Sequence, residues 1–149
     1  MDGTAGKQAS TSGNDNLRTI QRNYEAFGRG DVDVILESLA LDVQWEYHPT
    51  GNTAQDSGVP YMRFRKGKEQ VPGFFEDMEK HYEIHAFEPQ AFLEGDGFVA
   101  VVVKFELKVK ATGKRIQDEE IHLFEFDHQG KVKAFRHFLD SKKTVEAHE

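Results

Sequence analysis

Four long segments in the second half of the chain, roughly residues 82–93, 97–110, 115–127 and 131–140, are strand-like and separated by short Gly-bearing connections. The connections read EGDG, ATGK and DHQG, each a hairpin signal. Consecutive hairpins of this length predict an antiparallel meander, and a meander must bury one face against something else. The first half of the chain supplies the cover. NLRTIQRNYEAFGRGD places Leu17, Ile20, Tyr24 and Phe27 at helical spacing, with Asn14, Asp15 and Asn16 as candidate N-caps and Gly28 and Gly30 at the end. Asp31 is placed to cap a second helix, VDVILESLA. A third is predicted over Lys68–Lys80, burying Val71, Phe74, Phe75 and Met78, with Pro72 as an alternative first residue. DVQWEYH alternates Val43, Trp45 and Tyr47 against Gln44, Glu46 and His48 and reads as a strand, and PTGNTAQDSGVP reads as a loop. The prediction is an α+β fold, with three helices of the N-terminal half packed on one sheet, forming a single domain over residues 17–149. Residues 1–16 carry almost no apolar side chains and are expected to be a disordered leader.

Composition narrows the function. Of 149 residues, 38% are hydrophobic, enough for a core, and the 12 Phe against 3 Met point to a core or cavity walled by rings. The net charge of −7 repels nucleic acid and anionic membrane, so neither is an expected partner, although Arg63, Arg65, Lys66 and Lys68 cluster locally. With no Cys, disulfides, thiolate nucleophiles and Cys-ligated metals are excluded. No apolar run approaches the ~20 residues of a membrane span, and the first residues lack a signal-peptide core. A cytoplasmic protein is expected. Nucleophile-elbow, Walker and dinucleotide-glycine patterns are all missing.

The strand DEEIHLFEF carries the chemistry. Alternation puts Asp118, Glu120, His122, Phe124 and Phe126 on one face and Glu119, Ile121, Leu123 and Glu125 on the other. If Phe126 lies opposite Lys131 across the next hairpin, His122 faces Phe135 and Glu120 faces His137. One face then collects Glu120, His122, Phe124, Phe135, His137 and Leu139. The other collects Glu119, Ile121, Leu123, Ala134, Arg136 and Phe138. Both mix apolar and charged residues, so periodicity alone does not say which lines the interior.

The order helix, helix, strand, loop, helix and four strands resembles the nuclear transport factor 2-like superfamily, in its SnoaL-like and ketosteroid-isomerase-like branch. YEAFGRGDVDVILESLALDVQW, KGKEQVPGFF and EEIHLFEFDHQGKVKAFRHFLD carry the resemblance over about residues 17–145. It implies a cone-shaped, curved sheet, and it turns the Glu120–His122–His137 face inward. By the same resemblance, His122 occupies the position of the protonated oxyanion-hole Asp of ketosteroid isomerases. Phe135, His137 and Leu139 match pocket-lining positions. Tyr24 lies within one residue of the family's oxyanion tyrosine, and Tyr47 or His48 falls where its general-base Asp stands. That base carboxylate is missing here and the acid is an imidazole, which argues against a conventional ketosteroid isomerase. The Arg bracketed by two Asp of limonene-epoxide hydrolases has no match either.

The catalytic candidates are therefore Glu120, His122, His137 and Tyr24. Substrate-binding walls are expected from Trp45, Tyr47, Phe74, Phe124, Phe135 and Leu139. Glu120 and His137, as cross-strand neighbours, are expected to share a hydrogen bond, either as an acid–base pair or as a structural ion pair at the cone mouth. Asp140 follows the last strand, either as a cap or as a catalytic group. His81 and His85 join His122 and His137 as a metal set on paper only, so neither metal nor cofactor is expected. The expected ligand is a hydrophobic, carbonyl-type small molecule. It would be turned over by proton transfer in an isomerase, cyclase or dehydratase, or bound without chemistry by a dimerisation or binding module. A homodimer is expected through the outer sheet face, where Ile121, Leu123 and Phe138 would need cover.

Overall fold

The computed structural model describes the backbone of residues 4–149 and the side chains from Asp15 onward. Helix α1 spans Thr4–Gly28, so its start lies well upstream of Leu17 and reaches into the segment expected as a leader, of which residues 1–3 lie outside the described residues. A formed helix gains one hydrogen bond per added residue, which lets polar sequence continue it. Helix α2 (Val32–Glu37) is capped by Asp31, whose carboxylate accepts from Val34 N–H. It is shorter than expected, because Leu39 and Ala40 already belong to strand β1 (Leu39–Trp45). A short α3 (Thr53–Asp56) interrupts the predicted loop, and β2 is only Arg65–Lys66. Helix α4 (Pro72–His81) begins at the proline, whose missing N–H costs nothing in the first turn.

Strands β3 (Tyr82–Gly95), β4 (Phe98–Val109), β5 (Arg115–Phe126) and β6 (Val132–Phe138) form the predicted meander. The sheet runs β2-β1-β6-β5-β4-β3, and only β1 and β6 pair in parallel, so it is mixed. A final helix, α5 (Ser141–Ala147), was not anticipated. Its N-cap is Asp140, which accepts from Lys143 N–H at 3.0 Å, so Asp140 serves as a helix cap.

The inner face of the sheet is apolar along β4, where Val99, Val101, Val103, Phe105, Leu107 and Val109 are all buried. Helices α1 and α4 close over it, with Ile20, Phe74 and the ring of Tyr24 packed against the core. Among the described residues, no helix is long and apolar enough to cross a membrane.

The β5–β6 register differs from the expected one by two residues. Phe126 pairs with Val132, not Lys131, because the turn is closed by Asp127 N–H donating to Lys131 O, with Gly130 at φ 76°. A bulge between Glu125 and Phe126 then adds a second single-residue shift, so His122 faces His137 and Phe124 faces Phe135. Two such shifts restore the original facing. Both imidazoles stay on the interior side.

Ile20 has no exposed surface, whereas Leu93 is 56% exposed. Ile20→Ala should cost about 2–5 kcal/mol in urea unfolding, and Leu93→Ala about 0.5 kcal/mol or less.

Candidate functional site

Six strand, helix and loop positions bring one connected polar group into the apolar interior. Glu120 and His122 project from the same face of β5, and Glu120 Oε1 accepts from His122 Nε2–H at 2.7 Å. His137, directly across on β6, stacks edge-on against His122 with ring centroids 4.6 Å apart. Its Nε2 lies 3.8 Å from Glu120 Oε1, an ion-pair distance and not the direct hydrogen bond expected. The two-residue register difference is the reason, since it moves Glu120 from opposite His137 to a diagonal position. From α1, the Tyr24 hydroxyl donates to His122 Nδ1.

The second nitrogen of His137 has a partner that the alternation of DVQWEYH hides. Strand β1 ends at Trp45, and Glu46 adopts a left-handed backbone with φ 61°. The N–H groups of Glu46 and Tyr47 both turn onto Phe135 O, at 2.7 and 3.3 Å. This reversal carries the Glu46 side chain inward, where it is fully buried. Its Oε2 accepts from His137 Nδ1–H, and its Oε1 accepts from the His137 main-chain N–H at 3.1 Å and from His48 Nε2–H at 3.0 Å. His48 thus has a buried ring. No residue type marks this in the sequence, because glycine or asparagine would be the usual occupant of such a conformation.

Charge follows from these contacts. Burial alone would raise the Glu46 pKa, but the His137 imidazolium and the hydrogen bonds from His137 and His48 outweigh it and hold Glu46 at about 2. Burial likewise opposes charging of His137, yet Glu46 and Glu120 together raise its pKa above the ordinary imidazole range. His122 goes the other way: burial and then the charge on His137 lower its pKa, against the pull of Glu120. The pKa values of the two facing imidazoles are therefore driven apart, His137 upward and His122 downward. Burial, with Glu120 adding to it, keeps the Tyr24 phenol protonated.

A cavity of about 90 Å³ opens beside this group. That is well above the ~10–15 Å³ a single water needs, so side chains do not fill the cone. Tyr24, Glu120, His122 and His137 line it, as do Trp45, Phe74, Phe124 and Phe135, all named from the sequence. Trp45 and Phe135 stack at 4.2 Å and Phe124 and Phe135 at 4.8 Å, building a continuous aromatic wall. Two expected wall residues are elsewhere. Tyr47 lies beyond the reversal at Glu46, is 37% exposed and rests near Phe64. Leu139 follows the end of β6 and packs on the core away from the cavity lining. Phe27, Phe87 and Phe105 complete the wall and were not anticipated, in part because bulges in β3 shift which residues face inward.

Among the described residues, Glu120 Oε2 is buried and has no hydrogen-bond partner. The donor-type atoms of Glu120, His122 and His137 lie within 4.8 Å of one another, a spacing that one cation could bridge. In this arrangement Glu120 Oε1 is hydrogen-bonded to His122 Nε2 and lies at ion-pair distance from His137 Nε2. His81 and His85 lie near Asp77 and Glu83 and do not join this group.

An α+β cone with buried acid–base groups at one end of an aromatic cavity defines the class of domain. The chain belongs to the SnoaL-like domain family, which it matches over residues 20–135. Solved structures agree on the fold. An NTF2-like protein from Burkholderia xenovorans superposes with a TM-score of 0.75 at 22% identity, covering 91% of this chain and 97% of that one. An NTF2-like protein of unknown function from Burkholderia pseudomallei gives 0.72 at 24%, over 89% and 96%. TerC, co-crystallised with polyporic acid, gives 0.71 at 21%, over 89% and 97%. A search of curated proteins returned no match.

The titrations give opposite stability slopes. Glu46 contributes stability above the ordinary carboxylate range and loses it as pH falls toward about 2. His137, with a raised pKa, contributes fully below the ordinary imidazole range and loses that contribution as pH rises through the raised value. His137→Asn leaves Glu46 buried without its counter-charge and should cost about 3–5 kcal/mol in urea unfolding at about pH 6. The deficit should shrink as pH rises past the His137 titration.

Proposed function

We propose that this chain is a cytoplasmic small-molecule-binding protein that moves a proton on a hydrophobic, carbonyl-type ligand, as an isomerase, cyclase or dehydratase without a cofactor. The observation that carries the reading is Glu120, which lines a ring-walled cavity with Oε2 buried and unpartnered among the described residues and Oε1 3.8 Å from His137 Nε2. A carboxylate oxygen with no partner is free to take the proton of an acidic C–H or O–H. His137 Nε2–H, on the far side of Glu120 Oε1, supplies the matching acid for an oxygen that gains charge. Neutral His122 orients Glu120, and Tyr24 fixes the His122 tautomer by donating to Nδ1. Trp45, Phe74, Phe124 and Phe135 would hold the apolar body of the ligand. TerC, similar in fold, was co-crystallised with polyporic acid, which supports reading the cone as a small-molecule site.

The outer face of the sheet favours a second copy of the chain as partner. Phe138 is 46% exposed there, beside the half-buried Ile121 and Leu123 and under the Arg136 guanidinium at 5.3 Å. A binding module without chemistry is the competing reading, and it predicts a ligand recovered unchanged.

A thermal-shift screen followed by mass spectrometry of recovered ligand separates the two readings. For any ligand that is altered, Glu120→Gln should lower kcat by about 10²–10⁴-fold with KM nearly unchanged. Unchanged turnover in Glu120→Gln removes the base assignment, and unaltered ligand throughout favours the binder.

A further inference from the structure

Glu46 is the deepest charged group among the described residues, and the proton-transfer reading gives it no task. Its geometry is unusual for a mere counter-ion. One carboxylate oxygen accepts from His137 Nδ1–H and the other from the main-chain N–H of that same residue. The two contacts clamp ring and backbone together, so the imidazole cannot rotate without breaking its bond to Glu46. With Nδ1 committed, Nε2 is left facing Glu120, the His122 ring and the cavity. His48 Nε2–H holds the carboxylate from behind.

We infer that Glu46 is a positioning residue, which fixes His137 as a cationic N–H donor aimed into the cavity. The inference rests on the proton-transfer reading for its catalytic meaning, and on the Glu46–His137 geometry for its substance. Two observations separate it from a purely structural ion pair. A buried charge pair is weak evidence for stability, since well-packed apolar residues usually serve as well or better. The chain also accepts a left-handed, non-glycine backbone at Glu46 to bring the carboxylate inward, and such strain concentrates at functional sites. A proton relay through Glu46 is disfavoured, because a carboxylate held at about 2 does not pick up protons near neutrality. It acts as a fixed negative charge.

The groups facing His137 are Glu46 after β1, Glu120 and His122 on β5, and Tyr61 from the loop before β2, whose ring centroid is 5.5 Å away. Tyr61 stays protonated, burial and then Glu120 raising its pKa. Among the described residues only Glu46 bonds to a ring nitrogen of His137, so removing its charge has the most direct effect.

The test uses the full chain with ¹⁵N-labelled histidine. Two-bond ¹H–¹⁵N spectra read the charge and tautomer of His137 across pH in wild type, Glu46→Gln and Glu46→Asp. The wild-type ring should be an imidazolium at neutral pH. Glu46→Gln should move its titration to lower pH, and Glu46→Asp should restore part of the shift. With an altered ligand from the screen, Glu46→Gln should lower kcat by about 10–100-fold and shift the alkaline limb to lower pH, KM holding. A wild-type His137 that is neutral at pH 7 overturns the inference even if no variant folds. So does a folded Glu46→Gln with an unmoved titration and pH profile. The two readings fail separately. A shifted His137 titration with no ligand ever altered leaves Glu46 assigned and proton transfer refuted. Glu120-dependent turnover with an unmoved His137 titration does the reverse.

Discussion

A carboxylate with no exposed surface must be matched by a positive charge, and in this chain the match between Glu46 and His137 organises everything around it. The buried Glu46 makes the cationic form of His137 the stable one. Burial, and then the charge on His137 with its ring centroid 4.6 Å away, lower the pKa of the facing His122. A neutral His122 can both donate to Glu120 and accept from Tyr24. Burial and neighbouring charge together bias each protonation state, along contacts leading from the end of β1 to the last turns of α1.

The secondary structure exists to hold that chain of contacts in place. The β5–β6 ladder sets the two imidazoles opposite each other, and the parallel contact of β1 with β6 brings Glu46 to the back of His137. Aromatic packing around Trp45, Phe124 and Phe135 surrounds the polar group with apolar surface, and a low local dielectric strengthens charge interactions. The same packing leaves a void at the end where Glu120 has a spare oxygen.

Much of this was legible from residue order. Alternation along DEEIHLFEF and KAFRHF put the right side chains on one face, and the hairpin glycines put the strands in sequence. The pairing itself was misread by two residues, since neither the closed Asp127–Lys131 turn nor the bulge at Glu125 has a distinct signature. Facing survived because strand alternation repeats every two residues. Glu46 was the real omission. A period-two pattern assumes extended backbone, and a single residue at φ 61° reverses the direction of every side chain that follows. That reversal explains the outward Tyr47 as well as the inward Glu46. Helix α5 was missed because its residues, SKKTVEA, show little apolar periodicity and its cap Asp140 also reads as a strand end.

The turn between β5 and β6 consequently obeys a rule of parity. Gaining or losing one residue there, if absorbed by sliding β6, would exchange its inner and outer surfaces and carry His137 to the solvent side. A change of two would slide the strand while keeping its lining. Length drift in this turn is thus free only in even steps, unless a compensating bulge appears elsewhere in the hairpin.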